Sequence, residues 1–136
     1  MTDLSIIARA KGFASRTAFF GPEGDVSYAD LLMRSAAVAA GLLAGKADLE
    51  EERIAFLLPT GADYAAAQWG IWRAGGIAVP INGGAPVPEI EHVLTCAGVA
   101  RVVVAADRLA VLGDLPERLA LEVLDFDALE GDGPLP

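Results

Sequence analysis

Four short apolar runs, each parted from the next by a stretch of helical periodicity, constrain this chain more than any other feature. Arg53-Ile54-Ala55-Phe56-Leu57-Leu58 is continuously apolar after its first residue, as expected of a strand buried on both faces. Ile77-Ala78-Val79-Pro80-Ile81 reads as a second strand, Val102-Val103-Val104 as a third and the stretch 121–126 as a fourth, weaker one. Between the first two lies a helix over about 62–73, ended by Gly75-Gly76. A helix over 88–97 follows, with Pro88 in its first turn, Ile90, Val93 and Leu94 inward and Gly98 closing it. A broken helix over 107–118 separates the last two strands. Strands separated by helices of about three turns are joined by right-handed crossovers and lie parallel. The expected fold class is therefore α/β, with parallel-sheet βαβ layers.

The first 45 residues read differently. Leu4, Ile7, Ala8 and Lys11 at helical spacing predict a short first helix over 4–14. Thr17-Ala18-Phe19-Phe20 and Asp25-Val26-Ser27 flank the turn Gly21-Pro22-Glu23-Gly24, which predicts a β-hairpin. Ser27 and Asp30 have capping-box spacing, with Val26 and Leu31 placed to close a hydrophobic staple. The helix that follows carries Leu31, Leu32, Ser35, Val38, Ala39, Leu42 and Leu43 as one stripe and is expected to end at Gly45.

Composition narrows the function classes. With 136 residues, 54% of them hydrophobic, and a mean hydropathy of +0.44, the chain can form one domain with a real core. Ten Lys and Arg against 19 Asp and Glu give a net charge of −9, with no clustered basic face. Nucleic acid is therefore not an expected partner, and an anionic membrane surface repels such a chain. The start, Met1-Thr2-Asp3-Leu4, lacks the basic and apolar regions of a secretory signal, and no apolar run reaches the length of a transmembrane segment. One cysteine, Cys96, and one histidine, His92, make neither a disulfide nor a metal site. A cytoplasmic location is expected. Residues 1–129 are expected to form the α/β segment, and 130–136, rich in Gly and Pro, a linker or truncation point.

Ligands of an open parallel sheet bind beyond the carboxyl ends of its strands. After the first strand stands Pro59-Thr60-Gly61-Ala62-Asp63, with one glycine and no Lys-Ser/Thr. It reads as a helix start capped by Thr60 with Asp63 in the first turn rather than as a phosphate loop. After the second stands Asn82-Gly83-Gly84-Ala85-Pro86. Its glycines fit either a close backbone approach to a phosphate or a turn that needs positive φ. Gly45-Lys46 lacks the flanking residues of a P-loop and is a helix end. His92 and Cys96 share a helix face but have no third orienting group, so a half-buried His beside a core Cys is expected. Trp69 and Trp72, with Tyr64 on the same helix, read as core packing against the sheet, and Glu50-Glu51-Glu52 as a solvated turn. No pair of carboxylates stands in an acid–base context. Local chemistry alone thus gives an α/β domain without a reaction.

The order of the segments says more. Thr17-Ala18-Phe19-Phe20, then Val26-Ser27-Tyr28-Ala29-Asp30-Leu31, then Arg53-Ile54-Ala55-Phe56-Leu57-Leu58-Pro59 come in sequence. They are followed by Gly70-Ile71-Trp72-Arg73-Ala74-Gly75-Gly76-Ile77-Ala78-Val79-Pro80-Ile81-Asn82 and by Pro86, Glu89, Ile90 and Leu94. Together, over about 17–106, they resemble the start of the large N-terminal domain of adenylate-forming (AMP-binding) enzymes, in the acyl-CoA synthetase direction. The resemblance implies an N-terminal fragment of an ATP-dependent acyl-CoA synthetase, which turns a carboxylic acid, ATP and CoA into acyl-CoA, AMP and pyrophosphate. It implies ATP with Mg, and CoA, as cofactors of the parent enzyme. Its partners are then the acid substrate and the rest of the same polypeptide. The family's phosphate loop, adenine motif, ribose-binding Asp and catalytic Lys have no counterpart in these residues, so this chain alone is expected to be inactive, with no catalytic residue of its own. The CoA nucleotide of short-chain family members rests on positions that match Gly83, Gly84 and Arg108 here. The alternative expectation is a free-standing, non-catalytic α/β binding or scaffold module of the same ancestry, for which these are a glycine turn and a surface arginine. A small flavodoxin-like nucleotide binder is a third.

Overall fold

The computed structural model describes residues 3–136, so that Met1 and Thr2 lie outside the described residues. Helix α1, Ser5–Lys11, turns Ile7 and Ala10 inward and leaves Leu4 and Ile6 exposed. Strands β1, Thr17–Phe19, and β2, Val26–Ser27, pair antiparallel as the expected hairpin. Ser27 then opens helix α2, Tyr28–Leu43, through a reciprocal cap. The Ser27 hydroxyl accepts from the Asp30 N–H at 3.1 Å, and the Asp30 carboxylate accepts from the Ser27 N–H at 3.2 Å. The buried stripe of α2 is Leu31, Ser35, Val38, Ala39, Leu42 and Leu43, as its periodicity predicts. Its left-handed terminating residue is Ala44, at φ 47°, one position before the expected Gly45.

The remaining strands are β3 (Arg53–Leu57), β4 (Ile77–Pro80), β5 (Arg101–Val104) and β6 (Glu122–Asp125). They form one parallel sheet in the order β4-β3-β5-β6. The crossovers are α3 (Ala62–Arg73), α4 (Val87–Ala97) and, before β6, a 3-10 turn at Ala106–Leu112 followed by the short α5 (Leu115–Arg118). That last pair is the broken helix. Gly98 closes α4 at φ 67°, a left-handed position that suits glycine. Two end details differ from expectation. Gly61, not Thr60, is the N-cap of α3, with no side-chain cap bond, although Asp63 does stand in the first turn. Phe126 leaves the fourth strand to begin a 3-10 turn, Phe126–Ala128, because its ring is buried under α2 rather than in the sheet.

Strand alternation sorts the core into two layers. Ile54, Phe56 and Val103 face α1, α2 and α3, where they meet Val38, Leu42, Ala66, Trp69 and Ile71. Ala55, Leu57, Val102 and Val104 face α4 and the last crossover, meeting Ile90, Leu94, Leu112 and Leu115. Central strand β3 is thus buried on both faces, which its unbroken apolar run requires.

The first layer is drawn tight by α2. A Cβ on Gly70 of α3 would stand 2.5 Å from Val38 Cγ1 and 3.0 Å from the Ser35 carbonyl oxygen, so only glycine permits this helix contact. Three guanidinium groups bind backbone carbonyls around the same helix. Arg34 donates to Phe126 O at 2.6 Å and Leu129 O at 2.9 Å while stacking 4.4 Å from the Phe126 ring centroid. Arg73 donates to Leu32 O and to the hydroxyl of buried Ser35, and burial pushes its pKa down from the ordinary arginine value. Arg101 forks onto Glu52 at 2.7 and 2.9 Å and reaches Leu42 O. Glu52 is therefore a half-buried ion-pair partner and not part of a merely solvated turn, whereas Glu50 and Glu51 are exposed. Residues 130–136 form neither helix nor strand, and Leu135 packs against this same layer.

Candidate functional site at the carboxyl edge of the sheet

The chain leaves β3 for β4 on one side through α3, whereas β5 leads away on the other side to β6. The carboxyl ends of β3 and β5 therefore flank the point where the winding reverses, the place where open parallel sheets form a crevice. A cavity of about 490 Å³ opens there. Leu57 and Leu58 at the end of β3, then Pro59 and Thr60, form one wall with Tyr64 of α3. Pro80, Ile81, Asn82, Gly83 and Gly84 after β4 form the second, and Arg108 after β5 closes it. The three residues singled out by sequence thus line one cavity, although they lie on two different loops.

The glycine loop is held by its own side chain. Asn82 Oδ1 accepts from the Gly84 N–H at 3.0 Å, and the Ala85 N–H donates to Asn82 O at 3.1 Å. Neither Gly83 nor Gly84 takes positive φ, which removes the turn-strain explanation for them. A Cβ on Gly83 would instead come within 3.2 Å of Leu57 Cδ1, so the glycine lets the loop lie close over the end of β3. Arg108 is exposed and forms no ion pair among the described residues; only its backbone N–H is engaged, donating to Ala105 O at 2.9 Å. Glycines without side chains beside an uncommitted guanidinium can accept an anionic group.

Pro59 and Thr60 belong to this wall without a motif that marks them. A hydroxyl before an apolar helix reads as a cap, but Thr60 is exposed and lines the cavity instead. The signal available was its place directly after a strand. Tyr64 also borders the cavity while its ring meets Phe56 edge-on, 4.8 Å between centroids. The other candidates lie elsewhere. His92 and Cys96 are both exposed on α4, with Cys96 Sγ 3.6 Å from both ring nitrogens; neither is the buried partner expected. No group of three His, Cys, Asp or Glu among the described residues is arranged to hold a metal ion. No described helix is long and apolar enough to cross a membrane.

Open winding, a reversal point between β3 and β5 and a cavity above it define an α/β domain of the kind that binds ligands at its carboxyl edge. The chain belongs to the AMP-binding enzyme family, whose model matches residues 7–135. It is 35% identical over 133 residues to the mitochondrial malonate–CoA ligase ACSF3 of Xenopus laevis, covering 95% of this chain and 23% of that protein. It is 29% identical over 113 residues to the long-chain-fatty-acid–CoA ligase of Salmonella typhimurium, covering 83% and 20%. The o-succinylbenzoate CoA synthetase MenE of Bacillus subtilis, solved with its acyl-adenylate intermediate, superposes with a TM-score of 0.82 at 18% identity, covering 98% of this chain and 35% of that one. The fold is that of the first part of the N-terminal domain of adenylate-forming enzymes. The chain spans less than a quarter of the length of these two ligases.

Proposed function

We propose that this chain is the N-terminal segment of an ATP-dependent acyl-CoA synthetase and supplies the edge on which the CoA nucleotide rests. The carrying observation is the family match over residues 7–135, shared with ligases whose names specify malonate and long-chain fatty acids. In the proposed reaction a carboxylate attacks the α-phosphate of ATP, forming an acyl-adenylate and releasing pyrophosphate. The CoA thiol then takes the acyl group and AMP leaves. ATP with Mg, and CoA, are the cofactors of that whole enzyme, and a cytoplasmic setting belongs to the same proposal.

The part assigned to these residues is binding and orientation. Arg108 donates to a phosphate of the nucleotide, Gly83 and Gly84 leave room for it, and the Asn82 side chain keeps that loop in shape. The residues that neutralise the transferring phosphate lie, on this reading, in the remainder of the polypeptide, and 130–136 lead toward it.

ATP–pyrophosphate exchange tests the reaction. This chain alone is expected to give none, whereas a polypeptide that continues it through a complete adenylation domain gives exchange dependent on malonate or a long-chain fatty acid. Robust exchange by the short chain, or no acid-dependent exchange by the longer one, overturns the proposal.

A further inference from the structure

The geometry points to a second ligand site, for a small amphipathic aromatic carboxylate, in a cavity walled by α1, the turn after it, the start of α2 and α3. This cavity has a volume of about 340 Å³, within the range of small-molecule sites, and shares no lining residue with the one at the carboxyl edge. It does not depend on the proposed ligase reaction. Ile6, Phe13, Tyr28 and Trp69 supply its apolar walls, and among the described residues Arg9 and Arg16 are its charged lining groups, with no carboxylate beside them.

Charge is the main argument. In a chain of net charge −9, two guanidinium groups that form no ion pair among the described residues stand beside three aromatic side chains. That is a local reversal of sign, open to a negative ligand. The Arg16 guanidinium lies 5.5 Å from the Phe13 ring centroid, a contact that orients it and leaves its N–H edge to donate.

The walls are also set in place before any ligand arrives. Phe13 N–H donates to Ala10 O at 3.0 Å, Arg16 N–H to Phe13 O at 2.9 Å, and Tyr28 N–H to Arg16 O at 2.9 Å. Trp69 is only 8% exposed and forms a fixed floor, while Ile6 and Phe13, at 43% and 41%, form an accessible apolar rim. A ring system fits between rim and floor, with its carboxylate turned to the arginines.

The test is a titration of the isotopically labelled chain with 2-naphthoate, followed by nuclear magnetic resonance at the Trp69 indole N–H and the Phe13, Arg16 and Tyr28 amides. Saturable shifts at these groups are expected, with affinity weaker by at least about tenfold for the uncharged 2-naphthamide and for Arg16→Gln. Arg108→Ala is expected to bind 2-naphthoate like the parent chain. Should Arg16→Gln lose its dispersed spectrum, Arg9→Gln, on the exposed side of α1, carries the same expectation. Absence of saturable shifts, equal affinity for acid and amide, or shifts centred on Asn82 and Arg108 would each overturn the assignment.

Discussion

Beneath α2 and α3, Gly70 and three arginines draw elements together, whereas at the carboxyl edge Gly83, Gly84 and Arg108 leave space open. In the first region a missing Cβ lets two helices touch, and Arg34, Arg73 and Arg101 each donate to a backbone carbonyl, Arg73 also to the Ser35 hydroxyl and Arg101 also to the Glu52 carboxylate. In the second, a missing Cβ lets a loop lie near Leu57, and the guanidinium of Arg108 has no ion-pair partner among the described residues. Residue type alone does not separate structure from binding. What separates them is whether each polar group already has its partner within the fold.

The comparison can be broken by substitution. Gly70→Ala forces a methyl onto Val38 and the Ser35 carbonyl, neither of which is a flexible end, so thermal unfolding should show a loss of about 3 kcal/mol. Arg34→Ala removes two bonds to the 126–129 segment and the stacking on Phe126; denaturant titration should read about 2 kcal/mol of destabilisation, with little recovered by Lys. Gly83→Ala meets only the flexible end of Leu57, and the same titration should show about 1 kcal/mol or less, together with weakened CoA binding. Arg108→Ala should leave stability within about 0.5 kcal/mol while lowering CoA affinity about tenfold. If Arg108→Ala destabilises as much as Arg34→Ala, the distinction between the two regions fails.

The architecture was legible because its signals are periodic. The run 54–58 required burial on both faces, and the stripe of α2 gave its buried side residue by residue. Element ends were less legible, since they turn on single contacts. The cap of α2 falls on Ala44, with Gly45 after it also at positive φ, and Gly61 rather than Thr60 caps α3, because local spacing does not fix a helix end to a single residue. Glu52 read as solvated because its partner, Arg101, is 49 residues away. The edge cavity was half legible. Position after a strand marked the glycine loop, but the sharing of one cavity by Asn82, Thr60 and Arg108 follows from strand order, which places β3 between β4 and β5.

Calorimetric titration of CoA into this chain and into Arg108→Ala tests the central claim most directly. A saturable heat for the parent chain, with affinity about tenfold lower in the variant, is the result expected of a nucleotide edge that includes Arg108. Equal heats in both proteins, or no heat in either, would contradict it.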